Sequence, residues 1–161
     1  MRVGIVALLS LTGCGGAGAV VDGAVLGITI GETKYVYFGG PFLVLSAISS
    51  DCDDLDFLKR SYEIGNAPTP YDMAFLQFAW NADAVDEGRK AIDRAASVGA
   101  AVLDIQSDGS FEFDYATGGV ITVEELVEEK RLVGDFEGVA FLEGTLTGTF
   151  EAEWCRNLKA P

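Results

Sequence analysis

Short runs of apolar residues, alternating with polar ones and punctuated by glycine, proline and aspartate, fill most of the chain beyond residue 24 and predict strands. Val25–Ile30 and Lys34–Phe38 flank Gly31-Glu32-Thr33 and predict a hairpin, after which Gly39-Gly40-Pro41 turns the chain into a strand over Phe42–Ile48. Met73–Trp80 is a further apolar strand. Around Asp108-Gly109, a three-residue loop Ser107–Gly109 sets Ile105 against Phe111 and Leu103 against Phe113, with Gly109 left-handed. A two-residue loop would set Ile105 against Glu112, so the three-residue loop is preferred. Near the C-terminus Leu132-x-Gly134-x-Phe136-Glu137 recurs as Leu146-x-Gly148-x-Phe150-Glu151. A loop over Glu143–Thr145 then places Gly134 opposite Trp154, Phe136 opposite Ala152, Gly138 opposite Phe150 and Ala140 opposite Gly148. Large side chains face small ones on one side, while Asp135, Glu137, Glu151 and Glu153 take the other.

Two segments depart from this pattern. Leu55, Leu58 and Tyr62 have helical spacing and predict one short helix, capped by Asp51 or Asp53, before an irregular stretch Asn66–Pro70. Residues 84–98 place Val85, Ile92, Ala95 and Ala96 on one helical side, but Gly88 interrupts that pattern, and a strand over Arg89–Asp93 is preferred. Eight or more strands with a single helix give an all-β fold, an antiparallel β-sandwich or small barrel.

Composition narrows the function classes. The chain has 161 residues, suited to one domain, and its 49% apolar content with ten Phe, five Tyr and two Trp supplies an ample core. A net charge of −14 repels phosphate backbones and anionic head groups, which argues against nucleic acid as a partner. Histidine is absent, so the commonest general base and metal ligand are missing. An enzyme would depend on carboxylates, and no pair among 25 acids stands out by spacing. The pattern of a P-loop or a nucleophile elbow does not occur. The expectation is a protein that binds, without a cofactor.

The first residues indicate where it acts. Met1 and Arg2 precede an apolar segment Val3–Leu11, of signal-peptide length and too short to span a bilayer as a helix. Leu11-Thr12-Gly13-Cys14 follows, and this stretch resembles the lipobox of bacterial lipoproteins. The resemblance implies a signal peptide over residues 1–13, cleavage before Cys14, and acylation of Cys14. Residues 14–20 would be the lipidated cysteine and a flexible glycine-rich tether, and 21–161 the globular domain. It further implies a bilayer reached through the acylated Cys14 and favours the outer membrane of the cell envelope, with the domain facing either the periplasm or the outside. An envelope protein is the candidate partner there. The layout downstream is similar to that of small β-rich envelope lipoproteins, carried here by Gly118–Val123 and by Gly148–Cys155, and it brings no activity with it.

With Cys14 assigned to lipid, Cys52 and Cys155 remain as one pair in an exported chain and predict a disulfide. Closing a loop of that length is worth about 4.7 kcal/mol in the chain-entropy view. Around Cys52, Asp51, Asp53, Asp54 and Asp56 form a weak calcium candidate. Leu55 breaks the ligand alternation and no glycine follows, so an acidic loop capping the short helix is the preferred reading and no metal is assigned. Glu124, Glu125, Glu128 and Glu129, before Lys130 and Arg131, read as a charged hairpin tip rather than a site for a basic partner. Tyr35, Tyr37, Phe38 and Phe42 suit a sugar or peptide groove less well than a strand packing inward.

Overall fold

Alternation of β-branched and aromatic residues with polar ones is realised as strands throughout. A computed structural model of the protein describes residues 17–55, 72–93, 95 and 97–158. Eleven strands follow one another: β1 (Gly18–Asp22), β2 (Gly31–Thr33), β3 (Val36–Gly39), β4 (Phe42–Ser46), β5 (Met73–Trp80), β6 (Gly88–Ala91), β7 (Val98–Ile105), β8 (Phe111–Tyr115), β9 (Gly118–Val127), β10 (Arg131–Phe141) and β11 (Gly144–Trp154). A single 3-10 turn, Arg156–Leu158, closes the described chain, and no α-helix occurs among the described residues.

All the strands belong to one sheet, ordered β6-β9-β10-β11-β3-β4-β5-β7-β8, with β1 and β2 branching off β11. The branch arises because β11 shares its second edge between two partners. Its middle part pairs antiparallel with β1, from Gly18↔Glu151 to Asp22↔Thr147, and its last residues pair parallel with β3 at Glu153↔Tyr37 and Trp154↔Phe38. The sheet curls into a half-barrel, and one parallel bridge, Ile92↔Val98, joins the end of β6 to the start of β7. The concave side holds the main core, including Phe38, Leu43, Leu45, Leu76, Phe78, Ile121, Leu132, Phe136 and Phe150.

Strands β3, β4 and β5 are buried on both faces. Their convex side carries Tyr37, Val44, Met73 and Phe75, covered by Leu55 and Leu158. The Cys52–Cys155 disulfide, with Cα atoms 5.5 Å apart, ties this covering loop to the end of β11, across a sequence separation of 103. The Cys155 amide donates to Phe38 O at 2.8 Å, which seats that end of the chain against β3. The second, smaller core is therefore closed covalently.

Several expected elements form as the pattern indicates. Gly39 pairs with Phe42 across a two-residue Gly40-Pro41 turn. Ile105 pairs with Phe111 and Leu103 with Phe113, with Gly109 at φ +90°. The disputed segment forms strand β6, and Gly88 enters it at φ +102°.

Others differ. Gly31–Thr33, expected as a loop, is itself strand β2 and pairs with β1, while Val25 and Ile28 only bridge each other around Leu26-Gly27, both left-handed. Strand β1 starts at Gly18, inside the span expected as tether, because its edge is completed by β11. The β10–β11 turn is tighter than expected, with Phe141 paired to Gly144 across Leu142-Glu143. Its register consequently sets Phe136 against Gly148 and Gly134 against Phe150, and an irregularity between Phe136 and Val139 absorbs the slip. The sheet is a single curled layer and is not divided into the two stacked sheets of a sandwich. The expected helix over 55–62 lies beyond Leu55 outside the described residues, as do the stretch 66–70, the expected signal peptide and Cys14.

Candidate functional site

The acidic loop satisfies its own backbone. Asp51 Oδ1 accepts the amides of Asp53 at 2.9 Å and Asp54 at 3.0 Å, and Asp54 Oδ2 accepts the Asp51 amide at 2.7 Å. Asp53 Oδ1 accepts from Asn157 Nδ2 at 3.1 Å, and the same nitrogen donates to Cys52 O at 3.0 Å. These carboxylates are thus engaged in shaping a turn next to the disulfide, in the manner expected of aspartates that cap and turn a chain. Asp56 lies outside the described residues, and no group of three acidic or cysteine side chains suited to a metal occurs among the described ones.

The aromatic quartet divides between the two faces of β3 and β4. Phe38 points into the concave core, where it meets Trp154 edge-on at 5.3 Å between centroids, while Tyr37 points to the convex core. The Tyr37 hydroxyl donates to Ser50 O at 3.0 Å. Burial raises its pKa above the ordinary tyrosine value, and the negative charges of Glu153 and Asp51 push the same way. Tyr35 and Phe42 are half-buried against the same convex cluster. This strand packs on both sides and does not present the four rings together.

A shallow groove of about 880 Å³ opens where the β1–β2 branch leaves β11. Lys34 and Tyr35 stand on one wall, with the Lys34 ammonium 5.6 Å from the Tyr35 ring centre, while Glu124, Asp135 and Glu151 stand in the same groove. Ala17, the first described residue, also lines it. The charged hairpin tip forms as expected, with Lys130 N bonded to Val127 O, and Arg131 ties it together through Glu151 at 2.9 Å and Glu125 at 3.8 Å.

The feature the pattern did not mark as a site is strand β8. Phe111, Phe113 and Tyr115 share one face and touch in a row, Phe111 stacked on Phe113 at 5.7 Å between centroids and Phe113 edge-on to Tyr115 at 5.1 Å. They remain 47%, 48% and 39% exposed. Their alternation is indistinguishable in sequence from that of an inward-packed strand. A legible signal was the charge: residues 98–117 contain Asp104, Asp108, Glu112 and Asp114 and no basic residue. Ser110 donates through both its amide and its hydroxyl to Asp108, at 2.8 Å and 2.6 Å, and this holds the Asp108 carboxyl below its ordinary pKa.

Fold and surface together define an all-β half-barrel closed by one disulfide, with an aromatic edge and an acidic exterior. No protein-family model matches the chain, and neither a curated protein nor a solved structure matches it significantly.

Proposed function

We propose that this protein is a lipid-anchored binding or accessory protein of the bacterial cell envelope, held on the outer membrane by acylated Cys14. The observation that carries the reading is Leu11-Thr12-Gly13-Cys14 placed directly after a short apolar segment. The Cys52–Cys155 disulfide supports it, because such bonds persist in oxidising compartments. The position of β1 adds a consequence. With Gly18 already in the sheet, four residues of chain from Cys14 reach at most about 14 Å. The domain would therefore ride close to the bilayer, with the groove beside Ala17 on its membrane-proximal side. A role as structural subunit of an envelope assembly is favoured over catalysis by the exposed aromatic row on β8.

The test is metabolic labelling of cells with an alkyne fatty acid, followed by membrane fractionation, for the native chain and Cys14→Ser. Label and membrane retention in the native protein, both lost in Cys14→Ser, are the expected result. Label that persists in Cys14→Ser, or a native protein released with the soluble fraction, overturns the reading.

A further inference from the structure

Strand β8 lies at one end of the sheet order and pairs, among the described residues, with β7 alone. The direction of its backbone groups follows from two hydrogen bonds. Gln106 N donates to Ser110 O at 2.8 Å and Ala116 N to Ala100 O at 2.9 Å. In an antiparallel ladder the bonded positions alternate, so residues 110, 112, 114 and 116 turn their amides and carbonyls toward β7. Phe111 and Phe113 therefore turn theirs outward, to the side away from β7. Phe111 and Phe113, with half-exposed rings, are thus the same residues whose main-chain groups face the edge that no described strand occupies.

The two faces of the strand differ in chemistry. Phe111, Phe113 and Tyr115 form the aromatic face, continued by Leu103 and Ile105 on β7. Glu112 and Asp114 stand on the other, where Glu112 lies directly opposite Asp104. Like charges facing each other across a ladder are unfavourable, so this acidic strip stands without compensation from its own strand pair. The Asp114 carboxylate additionally accepts the Leu142 amide at 2.9 Å.

Charge selects among possible occupants. A second copy pairing antiparallel about Phe113 would set Glu112 of one chain against Asp114 of the other, twice, between molecules that each carry −14. The acids accordingly guard the edge against self-pairing. They do not guard it against a strand of opposite charge. An extended segment that alternates apolar with basic residues places the first against the rings, the second against Glu112 and Asp114, and bonds its main chain to Phe111 and Phe113.

We infer that the open edge of β8 is a docking site for an extended segment of a partner protein in which Lys or Arg alternates with apolar residues. The inference gives the binding reading its surface and rests on that reading for the envelope setting. The edge itself is a property of the folded domain.

The test uses the full chain purified in detergent micelles and three labelled heptapeptides followed by fluorescence anisotropy. One is Lys-Val-Lys-Val-Lys-Val-Lys, the second has the same composition with its four lysines in one block, and the third carries N-methyl groups on its valines. The alternating peptide is expected to bind at least tenfold tighter than the block peptide, and N-methylation to abolish the difference by removing main-chain pairing. Phe113→Thr is expected to weaken binding about fivefold, corresponding to one cross-strand pair of about 1 kcal/mol. Glu112→Gln is expected to reduce its salt dependence. Equal binding of the alternating and block peptides, or indifference to Phe113→Thr in a variant whose melting is unchanged, overturns the proposal. A concentration-dependent dimer that Phe113→Thr dissolves would assign the edge to a second copy instead, and overturns it equally. Acylation at Cys14 is measured separately, so failure here leaves the anchoring reading standing.

Discussion

Gly148 and Gly134 show how single atoms set the curvature of this sheet. A Cβ built on Gly148 would lie 2.5 Å from Val20 O and 2.7 Å from Phe136 Cζ, and one on Gly134 would lie 2.0 Å from Thr122 O and 2.8 Å from Phe150 Cζ. Each ring therefore covers the glycine of the neighbouring strand, and the backbone on the far side leaves no room to retreat. Gly148→Ala and Gly134→Ala should each destabilise by about 2 kcal/mol or more, read from urea unfolding. Gly99→Ala, where the nearest atom is 4.0 Å away, should stay within about 0.5 kcal/mol and serves as the control. The pairing of large with small was legible in the repeat itself, whereas its register was not. The turn at Leu142-Glu143 and the left-handed Gly138 shift it, and nothing in the apolar spacing distinguishes that arrangement from a three-residue loop. Tyr37 offers a second test at this scale. Its folded pKa is raised, so its contribution is complete below about pH 10, the ordinary tyrosine value, and is lost as pH climbs through the raised one. Tyr37→Phe should cost about 1 kcal/mol at neutral pH, through the lost bond to Ser50 O, and should remove that alkaline component of the unfolding curve.

Among the elements, the strands with strict alternation and a clear turn were the readable ones. The β7–β8 hairpin was legible to the residue because only one loop length keeps Ile105, Leu103, Phe111 and Phe113 together. Strand β2 was not, because Gly31-Glu32-Thr33 has turn composition and becomes a strand only when β1 lies beside it. That is a tertiary decision overriding local propensity. The same limit hid the role of β8. Its apolar face was visible, but which side of the sheet receives a cover depends on where the chain travels later. The disulfide is the element whose loss is easiest to forecast. It pins the loop carrying Leu55 and Asp51 over Tyr37, Val44 and Met73 of the convex cluster. Replacing both Cys52 and Cys155 by Ser should cost about 2–5 kcal/mol. Thiol reduction of the native chain should destabilise it by a comparable amount and so lower its melting temperature, and an unchanged melting curve would show that the convex core holds without the bond.

At the scale of the whole molecule, the half-barrel is strong along one arc and weak at its seam. Strands β10 and β11 are eleven residues each and pair along their length, with β9 continuing the ladder for ten. The seam is built differently. Strand β6 has four residues, three of them exposed, and among the described residues meets β7 through one bridge, Ile92↔Val98, where Asp93 N reaches Val98 O at 3.2 Å. Its two basic side chains are held by surface ion pairs, Arg89 with Glu137 at 3.9 Å and Lys90 with Asp86 at 2.6 Å, and such pairs contribute little. Local opening is governed by how much buried contact an element must break, so the seam should open well before the barrel unfolds. Hydrogen exchange at neutral pH provides the measurement. The Asp93 amide should exchange orders of magnitude faster than the paired amides of Leu132 and Phe150, and its protection should be insensitive to Gly148→Ala, which lowers the global limit. Ile92, although fully buried, should follow Asp93, because its amide bonds Gly119 O at 2.9 Å and leaves the sheet when β6 does. Protection of Asp93 equal to that of Phe150 would mean that the seam and the arc open together. The half-barrel would then behave as one closed cooperative unit despite the single bridge.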